Sequence, residues 1–502
     1  MKRVIIIGGG VAGLAAAMKV KRAAEAGEDV GFVLLERDPR LGGKVAGEIV
    51  TGEHGTFVVD GGPDSFLTAK PAIHRIAELV GVDDHKMPTD DSRKKTLILK
   101  NGRLYPMPDG VMQFAPTKFL PFATTGLFSW PGKLRAGMDL FVPKKKLAPG
   151  EFNDETLEHF IVRRMGREIL DRLAEPLVGG VHGSAPGDMS LAATFPNLLE
   201  MEQKYGCMIK GFLAQRRMVE EMKRTHPPDP KNPRTFFTAF TGGMHELTNA
   251  MAKVAGADSL RTGADVTHVA RGADGAWTVS LSDGSEVAGD AVIVATESWA
   301  AEPLMRPLDA KIADALSAIP ASSSATVSFA FDEQGLGVDT NAFGVLCPAI
   351  EHSRLLALTF SSTKWPGRAP SGKVLLRAFV GGPQNQKIMA ASDEELTAMA
   401  LTEVRSILGI SPEIEPLFSR FYRWTLGMPQ YSMGHLDRVS LIEERCMATP
   451  GLALAGGSYR GVGLPNCVVS GEMAVSKVLG DLGIPVAEDS AAVRSPGGPA
   501  LR

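Results

Sequence analysis

Long apolar runs, paired cysteines and an excess of charge of either sign are all missing from this chain of 502 residues. No stretch approaches the ~20 apolar residues that a membrane-spanning helix needs. The four cysteines, at positions 207, 347, 446 and 467, contain no C-x-x-C pair. That argues against a disulfide framework or a thiolate metal site and fits a reducing compartment, so no metal is expected. Lys plus Arg total 54 against 57 for Asp plus Glu, and the net charge of −3 argues against wholesale nucleic-acid binding. The first residues enter a strand-like run at once, which leaves no room for a secretory leader. Glycine is what the chain has in excess. Its 55 glycines predict many tight turns and places where backbone approaches something closely. At this length two or three domains are expected, interleaved along the chain.

Lys2-Arg3-Val4-Ile5-Ile6-Ile7 is a short apolar run that ends in Gly8-Gly9-Gly10-Val11-Ala12-Gly13. Helical periodicity follows over residues 11–26, and a second apolar run over 30–35 closes on Glu36. Strand, glycine turn, helix, strand and acid is the order that binds a dinucleotide. Gly8 permits the tight turn, Gly10 lets backbone reach a pyrophosphate, and Gly13 allows close helix–strand packing. The helix start offers phosphate its unpaired N–H groups and the positive end of its dipole. Glu36 stands 23 residues beyond Gly13, where an acid binding ribose hydroxyls is expected. Arg37-Asp38-Pro39-Arg40-Leu41-Gly42-Gly43-Lys44 brings backbone and basic side chains past a long cofactor a second time, and Asp60-Gly61-Gly62-Pro63-Asp64-Ser65-Phe66 a third. Three such approaches suit FAD in an extended pose better than NAD.

Residues 92–150 differ in character, with eleven basic residues against two acids, interleaved with Phe114, Phe119, Leu120, Phe122, Leu127, Phe128, Trp130 and Phe141. A membrane surface suits such a band, since each nearby Lys or Arg is worth roughly 1 kcal/mol against anionic headgroups. The alternative is a helical subdomain in which these apolar residues are core. Residues 154–177 predict one helix ended by Pro176, and Gly179-Gly180-Val181-His182-Gly183 a turn. Residues 226–233, with four prolines, predict a loop. Thr241-Gly242-Gly243-Met244 opens another helix. Runs at 266–269, 277–281 and Val287 predict a small meander, and 291–296 a buried parallel strand. Near the C-terminus a strand enters the turn 456–463, followed by a helix expected over 468–482. A helix start there would stabilise a reduced, anionic flavin. Residues 486–502 have the composition of a frayed tail.

The first three turns resemble the FAD-binding start of the amine oxidase/phytoene desaturase superfamily. With Gly62-Pro63-Asp64-Ser65-Phe66, Glu175-Pro176-Leu177, the run 190–196, Gly427-Met428-Pro429-Gln430-Tyr431 and Gly457-Ser458-Tyr459-Arg460-Gly461-Val462-Gly463, residues 4–482 resemble the bacterial protoporphyrinogen/coproporphyrinogen oxidase family. The resemblance implies an α/β + α chain in which three domains interleave. A Rossmann-type FAD-binding domain takes 1–64, 241–300 and 416–485. A mixed-sheet substrate domain takes 65–91, 211–240 and 301–415, and a helical membrane-associating domain takes 92–210. It also implies a six-electron oxidation of a porphyrinogen in haem synthesis, with dioxygen reduced to hydrogen peroxide. The enzyme would be cytoplasmic and peripheral on the inner face of the membrane, compatible with a homodimer and with transient contact with neighbouring haem-synthesis enzymes.

The implied cofactor contacts are Gly8, Gly9, Gly10, Val11, Ala12, Gly13, Glu36, Arg37, Gly42, Gly43, Lys44, Gly61, Gly62 and Pro63, with Val266, Trp424, Val462, Gly463 and Leu464. On the substrate side the resemblance implies a backbone turn at Gly180 and Val181 and apolar contacts from Leu346 and Phe360; Lys70 matches a lysine of members that favour coproporphyrinogen III or is a solvated lysine at a helix start, so the choice between coproporphyrinogen III and protoporphyrinogen IX stays open. Asp64 matches a position near the flavin, where it would take a proton, orient an N–H group or only cap a turn. Thr96, with Lys94 and Lys95 before it, stands where some members carry a propionate-binding arginine. Two alternatives stay open: another superfamily enzyme of amine oxidase or carotenoid desaturase type, and a flavin- or tetrapyrrole-binding protein without turnover.

Overall fold

The strand Lys2–Ile7 shows how the first core forms, because its side chains alternate between two buried faces. Val4 and Ile6 enter one apolar cluster, Ile5 and Ile7 the other. In the computed structural model the described residues are 1–90, 93, 95–112, 114–148, 150, 152–182, 184–225 and 235–485. The loop expected at 226–233, the tail at 486–502, Gly183 and Lys94 lie outside them.

Lys2–Ile7 is the middle strand of a parallel five-stranded sheet, in the order Leu260–Thr262, Val30–Glu36, Lys2–Ile7, Ala291–Val294, Leu452–Leu454. Helices Val11–Glu25, His245–Ala255 and Leu464–Asp481 cover one face. The other is covered by helices Ser298–Met305 and Ala310–Ser317 and by the antiparallel meander Val266–Arg271, Trp277–Leu281, Glu286–Gly289. Burial on both faces is why these strands read as continuous apolar runs.

A seven-stranded sheet forms the second layer, in the order Phe418–Pro429, Ala321–Asp332, Lys373–Gly381, Leu355–Phe360, Gly344–Leu346, Thr96–Lys100, Arg103–Pro106. All its neighbours are antiparallel except Gly344–Leu346 beside Thr96–Lys100. The segment expected to be helical from 92 therefore begins with two strands of this sheet. Likewise Phe418–Pro429, read with the cofactor domain, is its edge strand, while 301–319, read with the substrate domain, packs on the five-stranded sheet.

Helices Leu157–Met165, Pro196–Tyr205 and Met208–Thr225 surround a third core that contains Phe160, Ile161, Leu173, Leu198 and Phe212. Phe212 places the start of the 211–240 segment in this core. The helix expected over 154–177 breaks at Gly166, whose φ of +97° a side chain would resist. Pro176 does not end a helix. It lies within a helix that runs unbroken over 167–182, just after the π-helical turn Leu170–Ala174, a local widening of the kind that accommodates a proline's missing N–H. Gly180 and Val181 are thus inside a helix and not in the expected turn.

Candidate active site

Packing demands glycine at two of the first-turn positions and leaves the third open. A Cβ on Gly8, whose φ is +106°, would lie 2.8 Å from the Ala295 carbonyl oxygen, and one on Gly13 would lie 1.9 Å from the Gly8 carbonyl oxygen. A Cβ on Gly10 would meet nothing within 4 Å. Gly10 caps the helix Val11–Glu25, whose first turn holds no acid and whose Val11 and Ala12 are buried. Open space at a helix start, with free N–H groups and no carboxylate, fits a pyrophosphate. The second turn lies against the first. Gly42 donates to the Gly9 carbonyl at 2.8 Å, and a Cβ on Gly43 would be 3.0 Å from the Gly10 Cα.

Glu36 is held by backbone. Its Oε2 accepts from Gly9 N at 2.6 Å and its Oε1 from Asp38 N at 2.8 Å, and a carboxylate so placed keeps lone pairs for ribose. Its carbonyl accepts from Ala264 N at 2.8 Å, which brings the following strand start at Val266 toward the same end. Arg37 is exposed, while Lys44 pairs with Glu297 at 3.1 Å. Burial would raise Glu297, but Lys44, a backbone N–H and Arg37 together hold the carboxyl below its ordinary range.

The third turn is locked by the seven-stranded sheet. Three donors from three strands converge on the Gly61 carbonyl: Thr326 Oγ1 at 2.7 Å, Trp424 Nε1 at 3.0 Å and Arg377 Nη2 at 3.3 Å. Arg377 also donates to the Gly62 carbonyl, and a Cβ on Gly62 would be 1.8 Å from the Lys44 carbonyl oxygen. Just past Pro63, Asp64 pairs with Lys364 at 3.1 Å. Burial would raise the Asp64 carboxyl, but Lys364 and then Arg377 hold it well below the usual carboxylate range. Asp64 is therefore a fixed anion and a poor proton acceptor. Lys364, Arg377 and Thr326 escaped the sequence reading because no local pattern joins residues this far apart.

The last glycine turn is clamped by an aromatic pair. The Tyr431 hydroxyl donates to the Gly457 carbonyl at 2.7 Å and accepts from Gly461 N at 2.6 Å. His435 stacks on Tyr431 with centroids 3.9 Å apart, and its Nε2 donates to the Tyr459 carbonyl at 2.7 Å. Gly463 caps Leu464–Asp481, so this helix begins four residues before the expected 468. Pro465 in its first turn is the signal that would have placed the start correctly. Val462 and Leu464 are half-buried and Gly463 is exposed. Burial pushes the neighbouring Cys467 thiol up to about 11.

The residues read for the substrate are less gathered. Lys70 is exposed and precedes helix Pro71–Leu79. Leu346 is half-buried and touches the helical core. Phe360 is fully buried in the core of the seven-stranded sheet, so its ring lines no open surface. Thr96 begins a strand and pairs with Gly344. Glu175 is buried, with Oε2 accepting from Ala349 N at 3.0 Å and Oε1 from Gln384 at 2.8 Å. It ties the helical part to the segments that follow strands Gly344–Leu346 and Lys373–Gly381, a role its motif alone did not disclose.

The family model described as flavin containing amine oxidoreductase matches residues 11–479. Over 485 residues the chain is 32% identical to the coproporphyrinogen III oxidase of Bacillus subtilis (strain 168), covering 95% of this chain and 98% of that one. It is 27% identical over 495 residues to the chloroplastic protoporphyrinogen oxidase of Nicotiana tabacum, covering 95% and 85%. A crystal structure from Exiguobacterium sp. 255-15, assigned as a protoporphyrinogen oxidase, superposes with a TM-score of 0.82 at 30% identity, over 96% of this chain and 99% of that one.

Proposed function

The chain belongs to the flavin containing amine oxidoreductase family, and from that premise we propose that it is an FAD-dependent oxidase of porphyrinogens, with coproporphyrinogen III as its substrate. The observation that carries the reading is the likeness over almost the full length of both chains to a coproporphyrinogen III oxidase. The open space at Gly10, the engaged but unsaturated Glu36 and the locked third turn are the places that would hold the cofactor. When bound, FAD supplies the hydride acceptor and passes electrons to dioxygen. The protein's part is to hold the macrocycle and exclude competing reactions. Three such two-electron oxidations turn a porphyrinogen and three dioxygen molecules into a porphyrin and three hydrogen peroxides. Exposed Lys70 suits a substrate whose propionates outnumber those of protoporphyrinogen.

A membrane surface is the second part of the proposal. Among the described residues no helix is long and apolar enough to cross a membrane. Yet Leu120, Leu134 and Phe141 are 74%, 71% and 82% exposed, close in sequence to exposed Phe119, Trp130 and Met138. Exposed Lys118, Lys144 and Lys146 flank them. The basic band is smaller than composition suggests. Lys100 and Lys133 donate to carbonyls of 123–127, and Arg135 closes the end of helix Leu157–Met165 through the carbonyls of Val162, Arg163 and Arg164.

The test is a paired fluorescence assay in air on the FAD-loaded protein, offered coproporphyrinogen III and protoporphyrinogen IX separately. Porphyrin emission with matching peroxide, faster for coproporphyrinogen III, is expected. Silence with both, in a protein that retains FAD, would overturn the proposal.

A further inference from the structure

Asp64 and Lys364 stand 300 positions apart and meet where the cofactor turn abuts the substrate sheet. Asp64 follows Gly61-Gly62-Pro63, and Lys364 closes the short helix Ser361–Lys364 that continues directly from the strand Leu355–Phe360. Lys364 Nζ lies 3.1 Å from both Asp64 oxygens, and Ser65 Oγ donates to Oδ1 at 2.7 Å. The ammonium is also 5.1 Å from the ring centroids of Phe237 and of Trp365. These partners leave the two side chains only 13% and 14% exposed. Such an enclosure fixes a lysine that would otherwise keep much rotamer freedom.

The other charged groups facing Asp64 are also fixed. Arg377, from Lys373–Gly381, donates to the Gly61 and Gly62 carbonyls and from there adds a second, weaker pull on Asp64 than Lys364 does. Asp60 pairs with Arg368 at 3.1 Å, and Tyr422 donates to Glu48 at 2.8 Å. Lys364 is therefore the only cation among the described residues in an ion pair with Asp64. A carboxylate oxygen accepts more than one hydrogen bond, so Oδ2, bonded here by Lys364, keeps acceptor capacity.

We propose that Lys364 is a positioning residue for porphyrinogen oxidation: it keeps Asp64 a fixed anion at this junction, where Asp64 accepts a hydrogen bond from a substrate pyrrole N–H without taking the proton. The inference rests on the function proposed above. A porphyrinogen presents N–H donors and no basic nitrogen, so an acceptor-only group matches it where a protonated acid would not. Removing hydride from a bridge carbon leaves positive charge on the adjoining pyrroles, which favours an acceptor that cannot be neutralised at that moment.

Lys364→Met removes the cation, Lys364→Arg keeps it, and the double variant Asp64→Asn/Lys364→Met replaces the ion pair by a neutral amide. The flavin absorbance spectrum and kcat and KM for coproporphyrinogen III are followed from roughly pH 5 to 8 in FAD-loaded protein, the range into which a buried, unpaired carboxyl moves. Wild type and Lys364→Arg are expected to show no acid-side spectral transition. Lys364→Met should acquire one, with kcat falling roughly 10-fold below it while KM changes little. The double variant should lose the transition. A Lys364→Met protein as flat as wild type, or a Lys364→Arg protein with the same loss, would overturn the proposal. If Lys364→Met does not retain FAD, Lys364→Gln carries the same comparison. Wild type silent with both porphyrinogens would sink the proposed function instead, while the spectral transition would still report on the pair.

Discussion

At the N-terminal glycine turns a single methyl group has nowhere to go, whereas between 119 and 141 whole aromatic rings stand in solvent. A Cβ at Gly13 or Gly62 would sit 1.9 Å or 1.8 Å from a carbonyl oxygen. By contrast, Phe141 is 82% exposed and Trp130 is 67% exposed. Both regions are rich in side chains and turns that sequence alone marks as unusual, but the physics behind the marks differs. In the first, backbone approaches backbone, and only glycine satisfies the distance. In the second, the same residue types divide between core and surface, with Phe114, Phe122, Leu127 and Phe128 buried beside the exposed Phe119, Leu120, Trp130 and Phe141.

The largest effect should come from adding that methyl group. Gly13→Ala is expected to destabilise the protein by at least about 3 kcal/mol and to yield no FAD-retaining protein, because rigid backbone cannot move aside. Gly10→Ala should keep the fold, since its Cβ meets nothing within 4 Å, and should weaken only FAD retention. Thermal melting and flavin content of the two variants check this. A Gly13→Ala protein as stable and as yellow as wild type would break the contrast.

This contrast also explains what was legible in the sequence. Strands, turns and the first helix around Gly8, Gly42 and Gly61 follow local rules, and the structure places them within a residue or two of expectation. The convergence of Thr326, Arg377 and Trp424 on one carbonyl does not follow local rules, since it needs the pairing order of three distant strands. Asp64 shows the cost. Its sequence context left base, orienter and turn cap open, and its charge is decided by Lys364, 300 positions away, with help from Arg377. The helix expected over 154–177 failed for a smaller reason, the weight given to Pro176 over Gly166.

A second effect, smaller than the first, concerns the last glycine turn, which a buried neutral histidine helps to hold. His435 is fully buried, and burial pushes it down to about 4. Its Nε2 must donate to the Tyr459 carbonyl, and its Nδ1 is buried without a hydrogen-bond partner, so a proton there would add an unpaired charge. The folded pKa lies below the unfolded value, so the unfolded chain takes the proton first as pH falls. Stability from this group is complete above about pH 6.5 and is lost toward pH 4, by about 3 kcal/mol. His435→Gln should remove that share of the slope when melting temperature is followed between those limits. An unchanged slope in the variant would show that His435 is not the titrating group.

The smallest effect on stability should come from the exposed apolar side chains of 119–141, and they are the other half of the contrast. Leu134→Ser/Phe141→Ser is expected to shift folding stability by less than about 0.5 kcal/mol, because neither side chain is packed. If these side chains meet a lipid surface, the same variant should lose most of its binding to anionic vesicles at high salt, where only apolar insertion remains. Replacing Lys144, Lys145 and Lys146 by serine should instead remove the salt-sensitive part, although Lys144 and Lys145 also donate to the Gln203 and Asp154 carbonyls and their loss has a small structural cost. Vesicle co-sedimentation at low and high salt separates the two contributions. Equal binding by wild type and Leu134→Ser/Phe141→Ser at every salt concentration would mean that the exposed rings serve something other than a membrane. A large loss of melting temperature in that variant would mean that they are packed in solution after all.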